Sequence, residues 1–233
     1  MTAGGLPTDP TPRHRLDLQR RQRLGMVEAV WGEHKSAEQI ASIALSLQAA
    51  GELLLATRVS PDKAEAVIAL VGEPLVSHHA EAHCLTSRNL PPIHPERGHV
   101  VVLAGGTSDL TVAREAQLAL ACHGISVQLV MDVGVAGLHR LLDQLDSLHK
   151  ADVLIACAGM EGALPTVLAG LMAQPVIGVP VSVGYGVSAG GIAALHGMLA
   201  SCAPGLTVVN VDNGYGAAMA SLRILSLLKR FQA

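Results

Sequence analysis

Five short apolar runs in the last 135 or so residues constrain this chain most, because each one hands over to a glycine-rich loop and then to a helical pattern. The runs are Val100–Leu103, Ser126–Val130, Val153–Ala156, Val176–Val179 and Thr207–Val211. The helical patterns that follow them are Val112–His123, Ala136–His149, Gly162–Ala173, Ala189–Ser201 and Tyr215–Arg230. Strands separated by helices of this length need right-handed crossovers, so the expected fold is α/β: a three-layer αβα arrangement around a parallel sheet. In such sheets ligands bind beyond the carboxyl ends of the strands. The loops GGTSDL, MDVGVAGLHR, CAGMEGALP, PVSVGYG and NVDNGYG all fall there.

The region ahead of this rhythm is more charged and is expected to form a smaller α/β unit over residues 16–95, after a polar tail over residues 1–15. Ser36 and Gln39 make a capping-box pattern before Ile40–Ala50, and Ser60 with Pro61 opens a second helix running to about Val71. Leu53–Ala56 and Pro74–Val76 are short strand candidates. The stiff Leu90–Pro95 segment marks the boundary to the catalytic-type region, 96–233.

Composition removes several function classes. Half of the 233 residues are hydrophobic but only 2% are aromatic, and the net charge is −3, so a basic, base-stacking nucleic-acid surface is not expected. The four cysteines, Cys84, Cys122, Cys157 and Cys202, lack Cys-x-x-Cys spacing, which fits a reducing compartment. The polar N-terminus has no apolar signal core, and the expected location is the cytoplasm. Gly162–Val211 contains no Asp, Glu, Lys or Arg, yet its prolines and glycines cut it into strand and helix lengths. A sheet covered on both faces therefore explains it better than a membrane span.

Candidate chemistry lies in the loops. Gly105 and Gly106 let backbone approach an anion, with Thr107, Ser108 and Asp109 opening a helix; the same residues also describe an ordinary turn and N-cap. Asp132, His139 and Arg140 follow the second strand. His139 could shuttle a proton and Arg140 could clamp a phosphate or carboxylate, or both could be surface helix residues. Glu161, beside Gly159 and Met160, is the single acidic residue of a long apolar neighbourhood, where burial would make an idle carboxylate costly; it could also simply cap the helix that follows. Cys202 stands at a helix end beside Pro204-Gly205, where a thiolate would need a nearby cation. Cys122 and Cys157 read as core residues. His78, His79 and His83 with Glu81 match no strong metal spacing and read as a solvated connector.

Taken together these loops resemble the PurE-type aminoimidazole ribonucleotide carboxylase/mutase domain, a flavodoxin-like fold. The strings GTSDL, DVGVAGLHRLL, AGMEGALP, VGYG, SCA and NVDNGYGAA are closer still to the LarB family, pyridinium-3,5-biscarboxylic acid mononucleotide synthases of nickel-pincer nucleotide cofactor biosynthesis. The N-terminal strings LDLQRRQRLG, VEAVWGEHKSAEQI and LLLATR extend that similarity. The resemblance implies carboxylation of the nicotinate ring of nicotinic acid adenine dinucleotide with CO2 or bicarbonate, and hydrolysis of its phosphoanhydride. It implies Cys202 as thiolate, Glu161 as acid/base and His139 as proton relay. Gly105, Gly106, Thr107, Ser108, Asp109, Asp132, Arg140, Gly159, Met160 and Tyr185 become substrate contacts, with Asp212 and Asn213 as further pocket residues without assigned roles. It further implies a homo-oligomer and no tightly bound cofactor, although Mg2+ could act at the phosphoanhydride. The competing readings are an aminoimidazole ribonucleotide carboxylase or mutase, against which Cys202 and the Trp31–Lys35 segment speak, and a silent nucleotide-binding domain.

Overall fold

Val100 to Ala104 are all buried, as are Val153 to Ala158 and Val176 to Pro180, because these runs form the middle of a parallel sheet covered on both faces. The computed structural model describes residues 14–232, and the tail expected over residues 1–15 falls almost entirely outside the described residues. The chain divides into one compact unit up to Pro91 and another from Pro92 onward.

In the first unit the elements run α1 (Arg20–Leu24), β1 (Ala29–Trp31), α2 (Ala37–Ala49), β2 (Leu55–Thr57), α3 (Pro61–Val71), β3 (Val76–His79) and β4 (Cys84–Ser87). The sheet order is β1-β2-β4-β3, with β1 and β2 parallel and both β4 pairings antiparallel. The capping box forms: Gln39 N–H donates to Ser36 Oγ and Ser36 N–H to Gln39 Oε1. Ile40, Ala44 and Leu47 of α2 bury against Leu54, Val67 and Leu85. The histidine segment is not a solvated connector. His78 and His79 lie in β3, His79 Nε2 pairs with Thr86 Oγ1 at 2.9 Å, and burial, with His78 beside it, holds the His79 imidazole below its ordinary pKa.

In the second unit the order is β5 (His99–Ala104), α4 (Leu110–Ala121), β6 (Ser126–Val130), α5 (Leu138–Leu142), α6 (Leu145–Leu148), β7 (Val153–Ala158), α7 (Ala163–Leu171), β8 (Val176–Pro180), α8 (Ile192–Leu199), β9 (Thr207–Val208) and α9 (Gly214–Gln232). All five strands are parallel in the order β6-β5-β7-β8-β9. The fold is a three-layer, flavodoxin-like αβα sandwich. Side chains alternate across the strands, so Leu154, Ala156 and Ala158 pack with Leu141, Leu148, Leu164, Leu168 and Met198 on one face. Helices α4 and α9 cover the other. No helix among the described residues is long and apolar enough to cross a membrane.

Three expected elements come out differently. The helix expected over Ala136–His149 is a 3₁₀ turn followed by α5 and α6, which part at Asp143–Gln144, where Gln144 N–H takes the tighter i−3 bond to the Leu141 carbonyl. The helix expected from Ala189 begins only at Ile192, since Gly190 and Gly191 hold φ of 78° and 77°. The last strand pairs over Thr207–Val208 alone, and by Asn210 the side-chain Oδ1 has taken the next amide, Val211 N–H.

Candidate active site

The strand order reverses between β5 and β7, and the crevice beyond their carboxyl ends is the expected place for a ligand. A cavity of about 430 Å³ lies there, walled by the loops after β5, β6, β7 and β8. Glycines let these loops touch. A Cβ on Gly134 would sit 2.7 Å from the Gly105 carbonyl oxygen, and one on Gly159 would sit 2.2 Å from that of Val183. Neither position admits a side chain, so the walls are fixed backbone to backbone.

Asp109 is the polar centre of the first wall. It is 6% exposed, and Gly106 N–H donates to its Oδ2 at 2.9 Å, so the carboxylate reaches back to order the turn that precedes α4. Burial raises its pKa, opposed by hydrogen bonds from the backbone of Gly106, Gly159 and Gly105, while the Asp212 carboxylate raises it further. Nearby, Cys157 is buried, its thiol pushed up by burial and by Asp109, Glu115 and Asp212. That thiol is a core group. Cys122 is likewise buried and pushed up to about 12.

Of the residues picked out in sequence, Gly105, Gly106, Ser108, Asp109, Gly159, Met160, Glu161 and Tyr185 line this cavity together. Glu161 is not buried, as its apolar neighbourhood suggested: it follows β7 into an exposed loop at the cavity wall. Thr107, Asp132, His139, Arg140, Cys202, Asp212 and Asn213 do not line it. Arg140 is engaged by Asp132, Nη1 to Oδ2 at 2.5 Å, and its guanidinium lies over Gly137. His139 is exposed on α5. Cys202 is an exposed free thiol just past the end of α8, next to Ser201, whose hydroxyl accepts from Thr166 Oγ1 of α7. Val135, Leu164 and Val183 also line the cavity; they fall in the MDVGVAGLHR, CAGMEGALP and PVSVGYG strings expected to build the site, but no chemistry singled them out in the sequence. Among the described residues no group of three or more His, Cys, Asp or Glu side chains is placed to hold a metal ion.

A family model described as AIR carboxylase matches residues 99–231, more than half of the chain. The chain belongs to the AIR carboxylase family. A second model, described as LarB/PurE-like N-terminal domain, matches residues 11–89, ahead of the AIR carboxylase region. An uncharacterized protein of Methanocaldococcus jannaschii is 38% identical over 217 residues, covering 89% of this chain and 82% of that protein. The N5-carboxyaminoimidazole ribonucleotide mutase of the same organism is 36% identical over 135 residues, covering 55% of this chain and 79% of the mutase. That of Pyrococcus abyssi is 32% identical, covering 55% and 74%. A solved structure of a PurE2 variant from Treponema denticola is 23% identical, with a TM-score of 0.45, over 55% of this chain and 80% of that one.

Proposed function

We propose that this member of the AIR carboxylase family acts on a pyridinium nucleotide, as the LarB family does. It would carboxylate the nicotinate ring of nicotinic acid adenine dinucleotide and cleave the phosphoanhydride to release AMP. One observation carries the reading. Among the described residues, the cavity lining holds two carboxylates, Asp109 and Glu161, and no lysine, arginine or histidine. Such a lining suits the fixed positive charge of a pyridinium ring nitrogen, which an aminoimidazole lacks, and inside a partly desolvated cleft that difference is large. The phosphate end would lie against Ser108 at the opening of α4, since the N–H groups of Gly105 and Gly106 are already taken by the Cys157 carbonyl and the Asp109 carboxylate.

The chemistry follows from the ring. A pyridinium is electron-poor and cannot attack CO2. Addition of a thiolate to a ring carbon breaks aromaticity and leaves an enamine-like carbon that can. After the carbon–carbon bond forms, Glu161 takes the ring proton, the C–S bond breaks with its electron pair returning to sulfur, and aromaticity is restored. Cys202 supplies the thiolate. Because it lies off its own chain's lining, this reading includes a homo-oligomer in which the exposed Cys202 of one copy meets the cavity of another. A dinucleotide substrate fits a cytoplasmic location.

A second reading, N5-carboxyaminoimidazole ribonucleotide mutase, is favoured by the 36% identity to the M. jannaschii enzyme. One experiment separates them. The protein is incubated with nicotinic acid adenine dinucleotide and labelled bicarbonate, following AMP and label in the pyridinium product, and in parallel with N5-carboxyaminoimidazole ribonucleotide. Turnover of the second substrate alone would sink the pyridinium reading.

A further inference from the structure

Asp212 is the first charged residue after the uncharged Gly162–Val211 stretch, and it stands in a conformation that aspartate seldom adopts, with φ of 53°. Its N–H donates to the Pro180 carbonyl at 2.9 Å, and its Oδ1 accepts from Ser182 N–H at 2.8 Å. One residue thus grips the chain on both sides of Val181, where β8 leaves the sheet. From there the chain forms a closed-base loop. Gly190 N–H donates to the Ser182 carbonyl at 3.1 Å, and Gly191 is pressed so closely on Ser182 that a Cβ would come within 3.0 Å of the Ser182 Cα. Val183, Gly184 and Tyr185 of this loop line the cavity, while its tip is open, with Tyr185 77% and Val187 96% exposed.

We propose that Asp212 is a positioning residue that, by gripping the backbone around Val181, sets the Ser182–Gly191 loop as the closing wall of the substrate cavity. The inference rests on the pyridinium-nucleotide reading for its substrate. A left-handed asparagine or glycine would serve the backbone equally well. The carboxylate is kept although it is near enough to Asp109 to raise that residue's pKa, and near enough to Cys157 to add to the upward push there. Its charge therefore has a second effect: the proton on Asp109, whose other neighbours are the N–H groups of Gly105, Gly106 and Gly159, is coupled to the residue that holds the loop.

Two variants of the full chain separate these effects. Asp212→Gly keeps the backbone conformation and deletes the acceptor, whereas Asp212→Asn keeps an acceptor and deletes the charge. Hydrogen exchange at Ser182–Gly190 should accelerate about tenfold in Asp212→Gly and stay near wild type in Asp212→Asn. With nicotinic acid adenine dinucleotide and bicarbonate, Asp212→Gly should raise KM about tenfold with a smaller fall in kcat. Asp212→Asn should instead move the pH window over which folded Asp109 loses its proton, read from stability against pH, to lower pH, which a purely structural role would not do. Unchanged exchange in Asp212→Gly overturns the proposal, as does an Asn variant as loose as the Gly variant. If the wild-type protein turns over no pyridinium nucleotide, the functional reading falls while the exchange comparison still decides whether Asp212 holds the loop.

Discussion

Glu161 and Gly197 meet backbone to backbone: a β-carbon on Gly197 would lie 2.3 Å from the Glu161 carbonyl oxygen. Helix α8 runs against the loop that carries the candidate acid/base, and only a glycine lets it come so near. Gly197→Ala gains about 1 kcal/mol of helix propensity but forces a steric displacement costing about 1–3 kcal/mol. The net expectation is a lower Tm together with reduced turnover, since moving α8 moves Glu161. Thermal unfolding and steady-state kinetics on the same sample check this; a variant both more stable and fully active would show that the contact is unimportant.

Thiol chemistry should single out one cysteine. Cys84, Cys122 and Cys157 are buried and Cys202 is exposed, and none of the four is in a disulfide. Iodoacetamide under native conditions is expected to modify Cys202 alone, with the other three reacting only after unfolding, as read by mass spectrometry of peptides. Native labelling of Cys157 would contradict its place in the core.

Asp109 gives a pH dependence of defined sign. Its pKa is raised in the folded protein from an ordinary 3.8. Between that value and the raised one the unfolded chain has lost a proton that the folded chain still holds, so stability falls as pH rises through this window and then levels off. Asp109→Asn should abolish that slope, measured as urea stability by hydrogen exchange of β5 and β7 amides. A difference between wild type and variant that is constant with pH would remove the burial argument.

Cys202 and Glu161 allow a complementation test. If each cavity receives its thiol from another copy, Cys202→Ala and Glu161→Gln proteins should each be inactive alone. Mixed and reassembled, they should regain part of the wild-type rate, because some cavities then hold both groups. No recovery, with subunit exchange verified by mass, would place both groups in one chain.

The buried strands β5, β7 and β8 were legible in the sequence because a doubly covered parallel sheet writes itself as unbroken apolar runs. The loops lining the cavity were legible because they follow those runs. Strands β1 and β4 were not, since three- and four-residue strands owe their pairing to neighbours distant in the chain. The same limit hid the side-chain roles. Nothing local says that the Asp212 carboxylate caps Ser182, thirty residues away, or that Arg140 spends its charge on Asp132. Glu161 shows the opposite error: an apolar neighbourhood in sequence is not depth in space, because the loop carries the residue outward.

The arrangement of strands also bears on how such an enzyme could be altered. Most of the cavity wall sits on loops leaving strand ends, with Ala158 of β7 and Ala163 and Leu164 of α7 completing it. Exchanging the Ser182–Gly191 segment between relatives, together with the residue at 212 that anchors it, should therefore transplant selectivity while the scaffold folds as before. Divergence between a purine-type and a pyridinium-type substrate would need no new architecture, only a different loop held in the same grip.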